Sequence, residues 1–351
     1  MDNSLKEKIW KFILDGVKEQ MVATQFDPFW DNPKAAGTEL WLDTGDMAEA
    51  EKISTSEMTA LTTNNTLINK EIQKGIYDDF IANAKEIVKD LPLHQQFMEI
   101  VFIMNARHGL RLAKKFGGFV SVELYTNTAY DIGATVEYRI RYFEICPDQF
   151  IVKVPYTATG LLGALKLREK GVKVNFTLEF SARQNLIEAA ITRPNYLNVF
   201  LGRIGAYISD NGLGDGSGAE ERAVIESQRW VNYLTQNNPE PTKLIDASLR
   251  NYGQLEDLAG VNVFTMPTKV ATDGKVNLTG KFKSRLEEIY PVGIHPETAV
   301  YFPEKLWEGS KHELELAKSL VKTARRIVMN LQSICVRRDA AICFPILATT
   351  I

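Results

Sequence analysis

One lysine stands inside an otherwise apolar extended run, FIVKVP at 150–155. A lysine aimed into a protein interior is partly desolvated, and a desolvated amine spends more of its time neutral and nucleophilic. Amines of that kind attack carbonyls and form Schiff bases, so Lys153 is the first candidate for chemistry. Schiff-base chemistry also needs carboxyl groups that move protons, and two end similar runs: Asp43 in ELWLD (39–43) and Glu123 in GFVSVEL (118–124). Arg203, and Arg250 with Ser248, suit an anionic group, because guanidinium grips phosphate in fixed geometry. Each residue alone has a blander reading, as a snorkelling lysine, a salt-bridged carboxylate or a surface arginine. What sets them apart is that they recur at the ends of successive extended runs.

Those runs number eight: 39–43, 60–64, 118–124, 149–155, 173–180, 196–201, 243–249 and 261–266. Helix-like segments separate them, at 67–88, 94–115, 160–170, 183–192 and 219–236. Eight strand and helix units within 228 residues, 39 to 266, approach the roughly 250 typical of a (β/α)8 barrel. The rival is a doubly wound open sheet, which would want a glycine-rich first turn. The glycine-rich run NGLGDGSG (211–218) follows the sixth strand instead and reads as a surface loop, with a lid or ligand loop as the alternative. The fold class is therefore α/β, a TIM barrel with helical extensions at both ends.

Side chains two apart on a strand face the same way, and barrel sites form at the C-terminal strand ends. Asp43, Thr62 and Asn64, Ser121 and Glu123, Lys153, Asn175 and Thr177, Asn198, and Ser248 and Arg250 each keep one parity within their run. Seven strands could thus aim polar groups at one axial cavity. The four histidines, His94, His108, His295 and His312, make no short ligand pair and none closes a strand, so no metal site is expected. His94 and His108 read as exposed or structural.

The remaining sequence bounds the setting. The 351 residues carry 41 basic and 44 acidic side chains, a formal charge of −3, with 45% hydrophobic and 24% charged residues. That is the balance of an ordinary globular protein, not of a nucleic-acid or anionic-membrane binder. Three cysteines, Cys146, Cys335 and Cys343, at no metal-like spacing argue against a disulfide framework. No leader-like start or membrane-length apolar run is found, so a cytoplasmic location is expected. Three parts are expected: an N-terminal helical extension over 1–38 with a helix at 4–22, a catalytic barrel over 39–267, and a C-terminal helical extension over 268–351 packed on it. Helices are expected there at 281–289 and 311–331.

The motifs together resemble the transaldolases, class I Schiff-base enzymes of the pentose phosphate pathway. They are LDTGD (42–46), TTNNTL (62–67), VSVE (120–123), IVKVPYT (151–157), KGVKVNFTLEFS (170–181) with Gln184, FLGRI (200–204) and DASLRN (246–251), in order and at family-like spacing. The resemblance implies that Lys153 forms the Schiff base, that Glu123 and Thr177 hold the catalytic water, and that Asp43 is the acid/base at the substrate hydroxyl. It further implies that Asn64 and Asn175 contact the dihydroxyacetone moiety and that Arg203, Ser248 and Arg250 hold phosphate. Phe200 matches transaldolases proper, where fructose-6-phosphate aldolases tend to carry tyrosine. Two departures stand out. Asn64-Asn65-Thr66 replaces the usual Asn-Pro-Ser, and Asn198 replaces a substrate-contacting serine with a bulkier amide.

The implied activity is transfer of a dihydroxyacetone unit from sedoheptulose 7-phosphate or fructose 6-phosphate to glyceraldehyde 3-phosphate or erythrose 4-phosphate. It needs neither metal nor organic cofactor, and its partners would be small sugar phosphates, with a homodimer left open. The alternatives are a fructose-6-phosphate aldolase-type lyase and a non-catalytic barrel that binds sugar phosphates.

Overall fold

A computed structural model describes residues 2–124, 126–293 and 295. Eight parallel strands close into one barrel in chain order. They are β1 (Glu39–Asp43), β2 (Met58–Thr62), β3 (Phe119–Val122), β4 (Phe150–Pro155), β5 (Val174–Thr177), β6 (Tyr196–Phe200), β7 (Lys243–Ala247) and β8 (Val263–Pro267). β8 pairs back on β1, with Asp43 opposite Pro267. The fold is the expected (β/α)8 barrel, and every expected run overlaps one strand, although β2 lies two residues earlier than 60–64 and leaves Asn64 beyond its end.

Several runs are shorter than their apolar stretches, for backbone reasons. β5 stops at Thr177 because Leu178 takes a left-handed conformation (φ +77°), and β7 stops at Ala247 because Ser248 does the same (φ +69°). Left-handed backbone is costly for residues with a side chain and concentrates where a site imposes it.

Two helices precede the barrel, α1 (Asn3–Leu14) and α2 (Pro28–Ala35). The helix expected over 4–22 ends at Leu14, and Gly16 at φ +67° turns the chain out of the helix. The segment expected as one helix over 67–88 is two, α4 (Asn65–Gln73) and α5 (Asp78–Val88), divided at Gly75 with φ +75°. α3 (Met47–Ile53), α6 (Leu93–Phe116), α7 (Ile132–Ile145), α8 (Ala158–Glu169), α9 (Ala182–Thr192), α10 (Leu201–Asp210), α11 (Ala219–Thr235), α12 (Gly253–Asp257) and α13 (Thr268–Asn277) complete the set. α13 packs on β8 and α3, so the helix after the last strand belongs to the barrel wall.

Residues 281–289 are not helical. They cross the barrel surface as irregular chain whose Phe282 and Leu286, with Tyr290 just beyond, pack on the core, so burial of these side chains outweighs the local helical pattern. The helix expected at 311–331 lies outside the described residues, as do His312, Cys335 and Cys343. The glycine-rich loop is tied down on one side: Gly216 N donates to Gly293 O (2.9 Å), Gly293 N to Ser217 O (2.7 Å) and His295 N to Leu213 O (2.8 Å).

Alternation along the strands divides the core in two. Leu40, Leu42, Val120, Val122, Phe150, Val152, Val154, Phe176 and Phe264 point outward into one continuous cluster with the helices. Trp41, Ala60, Ile151, Tyr196, Ile245, Ala247 and Val263 form a separate plug inside the barrel, with Phe119 against it. Trp41 and Tyr196 meet edge-on at 4.7 Å between ring centroids. Glu39 seals the plug below, accepting from Trp41 Nε1 (2.8 Å) and pairing with Lys243 (2.6 Å).

Candidate active site

Two residues further along each strand, on the same inward face, the side chains turn polar: Asp43, Thr62, Ser121, Lys153, Asn175, Asn198 and Thr265. The seventh strand breaks the pattern. Its inward residue is Ala247, and Ser248 reaches the site from the loop beyond, freed by its left-handed backbone, instead of by strand parity. Above this layer opens a cavity of about 1000 Å³ lined by Asp43, Asn64, Lys153, Asn198, Phe200, Arg203 and Ser248 among others.

Lys153 is 7% exposed at the cavity floor, and its Nζ donates to Thr63 O at 2.9 Å. Behind it the buried Arg139 of α7 donates through Nε to the Lys153 carbonyl (2.6 Å) and through Nη1 to Thr135 O (3.1 Å), bracing β4 from outside. Burial lowers the Arg139 guanidinium to about 10. Nothing in the sequence pattern marks Arg139, because its role depends on helix packing.

Asp43 accepts from Thr62 Oγ1 (2.7 Å), and Thr62 Oγ1 lies 2.7 Å from Thr265 Oγ1, giving a chain across three strands. Burial pushes the Asp43 carboxyl above its ordinary value, with the Lys153 charge and the Thr62 hydrogen bond acting against it. A carboxyl so placed can both take and return a proton.

The amides form a second chain. Asn198 Nδ2 donates to both Asn175 Oδ1 and Phe176 O, and Asn175 Nδ2 donates to Ser121 Oγ (2.9 Å). Both Asn198 amide hydrogens are engaged, so the side-chain group it still offers a substrate is its Oδ1 acceptor. Asn64 caps α4, accepting from Leu67 N at 3.0 Å, while lining the cavity. Glu123 lies just past β3, half-buried, and accepts from Asn65 N (3.3 Å). That N–H exists because residue 65 is not proline. Thr177 ends β5 buried, opposite Pro155 in the ladder. Glu123, Thr177, Asn175 and Arg250 are not among the residues lining the cavity itself.

On the far side the cavity is cationic. Arg203 sits in the first turn of α10, whose N-terminus has no side-chain cap, so its backbone N–H groups are available to an anion. Arg250 packs against this turn, donating from Nε (3.3 Å) and Nη2 (3.2 Å) to Gly202 O. Only glycine fits at 202, since a Cβ there would collide with Arg250 Nε and Ser248 O. Thr265, Leu178, Phe180, Arg183 and Tyr207 also line the cavity and carry no role from sequence reasoning. Thr265 had a signal, since it continues the inward parity of β8; the others sit on loops and helix ends whose direction parity does not give. His94 is exposed, whereas His108 is buried, with Tyr77 OH 2.8 Å from Nδ1 and its Nε2 toward Gly45 in the loop after β1, and it does not line the cavity. No three His, Cys, Asp or Glu side chains among the described residues gather as a metal site.

A parallel barrel with a buried amine and a desolvated carboxyl beneath a cavity at its C-terminal strand ends has the architecture of a barrel enzyme. Residues 40–300 match the family model described as Transaldolase/Fructose-6-phosphate aldolase, and the chain belongs to that family of enzymes. It is similar to a transaldolase of Thermosynechococcus vestitus, 29% identical over 262 residues, a match covering 70% of this chain and 64% of the relative. A transaldolase of Saccharomyces cerevisiae is 28% identical over 265 residues, with 73% and 77% covered. A probable transaldolase of Thermus thermophilus is 30% identical over 235 residues, with 66% and 88% covered. No helix among the described residues is long and apolar enough to cross a membrane.

Proposed function

We propose that this protein transfers a dihydroxyacetone unit between sugar phosphates through a Schiff base on Lys153. The observation that carries the reading is the Lys153 amine, buried on the cavity floor with Asp43 sharing that cavity and, among the described residues, no other lysine lining it. The neutral amine adds to the C2 carbonyl of a ketose phosphate, and loss of water from the adduct leaves a protonated imine. Glu123, just past β3, and Thr177, at the end of β5, are assigned to that water. Asp43 takes the proton of the C4 hydroxyl as the C3–C4 bond breaks, and the bonding pair moves into the imine to give an enamine. The aldose phosphate leaves, a second aldose phosphate enters, the enamine carbon attacks its aldehyde while Asp43 returns the proton, and water adds back to the resulting imine to release the new ketose phosphate and the free Lys153 amine.

Asn64, Asn175 and Asn198 would hold the hydroxyls of the retained three carbons, with Phe200 packing over them. Arg203, Ser248, Arg250 and the α10 N-terminus would hold the phosphate. That grip lies far from the reacting carbons, and its binding energy orients them. Donors are taken to be sedoheptulose 7-phosphate or fructose 6-phosphate, acceptors glyceraldehyde 3-phosphate or erythrose 4-phosphate.

Incubation with fructose 6-phosphate and borohydride should leave a stable adduct on Lys153 in a peptide map. An unmodified Lys153, or a different modified lysine, overturns the reading. Turnover of fructose 6-phosphate with and without erythrose 4-phosphate then separates transfer, which requires the acceptor, from lyase activity, which does not.

A further inference from the structure

The seam between β5 and β6 is unlike its neighbours. β6 and β7 are in register from Tyr196 to Phe200, whereas β5 and β6 are in register only at Asn175 and Tyr196. Beyond that point two bonds that involve side chains and one between backbones bridge the gap. Asn198 Nδ2 donates to Phe176 O, Asn198 N donates to Glu179 Oε1 (3.4 Å), and Phe200 N donates to Glu179 O (3.0 Å). Glu179 is completely buried, and so is Glu188 on α9. Among the described residues no donor reaches either oxygen of Glu188 or Oε2 of Glu179, and the two carboxyl groups are close enough to act on each other. Two buried carboxyls without a cation between them cannot both be ionised, so the pair keeps at least one proton. No step of the transfer reaction uses these residues.

We propose that the Glu179–Glu188 carboxyl pair is a positioning device for Asn198: it closes the open seam and, by holding the Asn198 backbone N–H, sets the strand position from which the Asn198 side chain lines the cavity. The role rests on the transfer reading of the cavity. It acts on substrate binding, because Glu179 touches Asn198 and not the reacting atoms.

The electrostatics agree. Burial lifts Glu179 to about 8 against the opposing pull of its Glu188 hydrogen bond, the Asn198 N–H and the Lys153 charge. Burial and the nearby Glu179 lift Glu188 further. Lys153 faces the pair from β4 and Tyr156 from the turn after it, the latter raised to about 12 by burial and the two glutamates. Asn185, on α9 beside Glu188, is bonded to the neutral Ser227 of α11 (3.2 Å). As pH rises through about 8, ionisation of Glu179 adds a negative charge to a dry wall beside a site for anionic sugars, so kcat/KM for the ketose phosphate should fall.

The test uses three readouts on the full chain. Glu179→Leu removes the acceptor for Asn198 N–H and should raise KM for fructose 6-phosphate about tenfold, the scale of one buried hydrogen bond left unmade, while borohydride trapping on Lys153 at saturating substrate persists. Glu179→Gln keeps a neutral acceptor and should abolish the alkaline fall in kcat/KM; a limb unchanged from wild type overturns the proposal even if the leucine variant does not fold. In the ligand-free protein, the infrared band of protonated carboxyl groups should shrink as pH passes about 8 in wild type and not in Glu179→Gln. Absence of that difference overturns the proposal whatever the protein catalyses, whereas failure of wild-type trapping overturns only the transfer reading.

Discussion

The two inward layers of the barrel use the same strands and the same face, one step of the pleat apart, yet are opposites. Trp41, Ala60, Ile151, Tyr196 and Val263 fill the lower layer, and Asp43, Thr62, Lys153, Asn198 and Thr265 fill the upper one. The lower layer is mostly volume and area, with one polar need, the Trp41 indole N–H, from which Glu39 accepts. Each polar group above needs a partner, and the structure supplies it locally: Thr63 O for Lys153, Thr62 for Asp43, Asn175 and Phe176 O for Asn198. The lesson is a division of labour, with the lower plug holding the barrel closed so that the upper layer can carry groups that burial disfavours.

That division can be broken from either side. Lys153→Ala should reduce turnover to background, a larger loss than the about 10²–10⁴-fold expected of Asp43→Asn, which removes a general acid/base. Both should leave the denaturant midpoint near wild type or above it, since each deletes a group that burial disfavours. A midpoint that collapses with activity in both variants would mean that the upper layer is structural. For wild type, activity should fail on the acid side at a pH above the ordinary carboxylate range, because burial raises Asp43 and the ionised form is the one that takes the hydroxyl proton. The converse variant is Trp41→Ala, which removes the largest side chain of the plug and should cost about 3–5 kcal/mol of stability. Its adduct on Lys153 should still form in the fraction that remains folded, measured below the melting range.

The barrel was legible because alternation has a strict period of two: once Lys153 is taken as inward, Ile151 and Pro155 follow, and the same holds for Asp43 with Trp41. Parity misled at the seventh strand, where Ser248 and Arg250 belong to a loop whose direction depends on a left-handed backbone. Arg139 and the Glu179–Glu188 pair were not legible at all. Arg139 reaches the Lys153 carbonyl only because α7 packs behind β4, and Glu179 reads as one more polar residue of the run 173–180 until the ladder is seen to open beside it. In the same way the segment 281–289 has local helical character that contact with the barrel overrides.

A third population of buried polar groups lies outside the barrel, and its effect should be smallest and confined to stability. His108 on α6 is completely buried, with Tyr77 OH at 2.8 Å from Nδ1. Burial lowers it from 6.5 to about 4. The sign follows from where the protons go. Between about 6.5 and about 4 the unfolded chain holds the imidazole proton and the folded chain does not, so stability is full above about 6.5 and is lost as pH falls through about 4. The loss amounts to about 3 kcal/mol at most, at 1.36 kcal/mol per pH unit. Replacing His108 with glutamine should lower stability at neutral pH yet flatten its decline over that interval, measured as denaturant midpoints at a series of pH values. kcat should change little, because His108, held between Tyr77 and the Gly45 loop, is not among the residues that line the cavity. An acid decline as steep in the variant as in wild type would assign it to the carboxylates, and a change in kcat would tie α6 to the upper layer, erasing the boundary between groups that stabilise the barrel and groups that act within it.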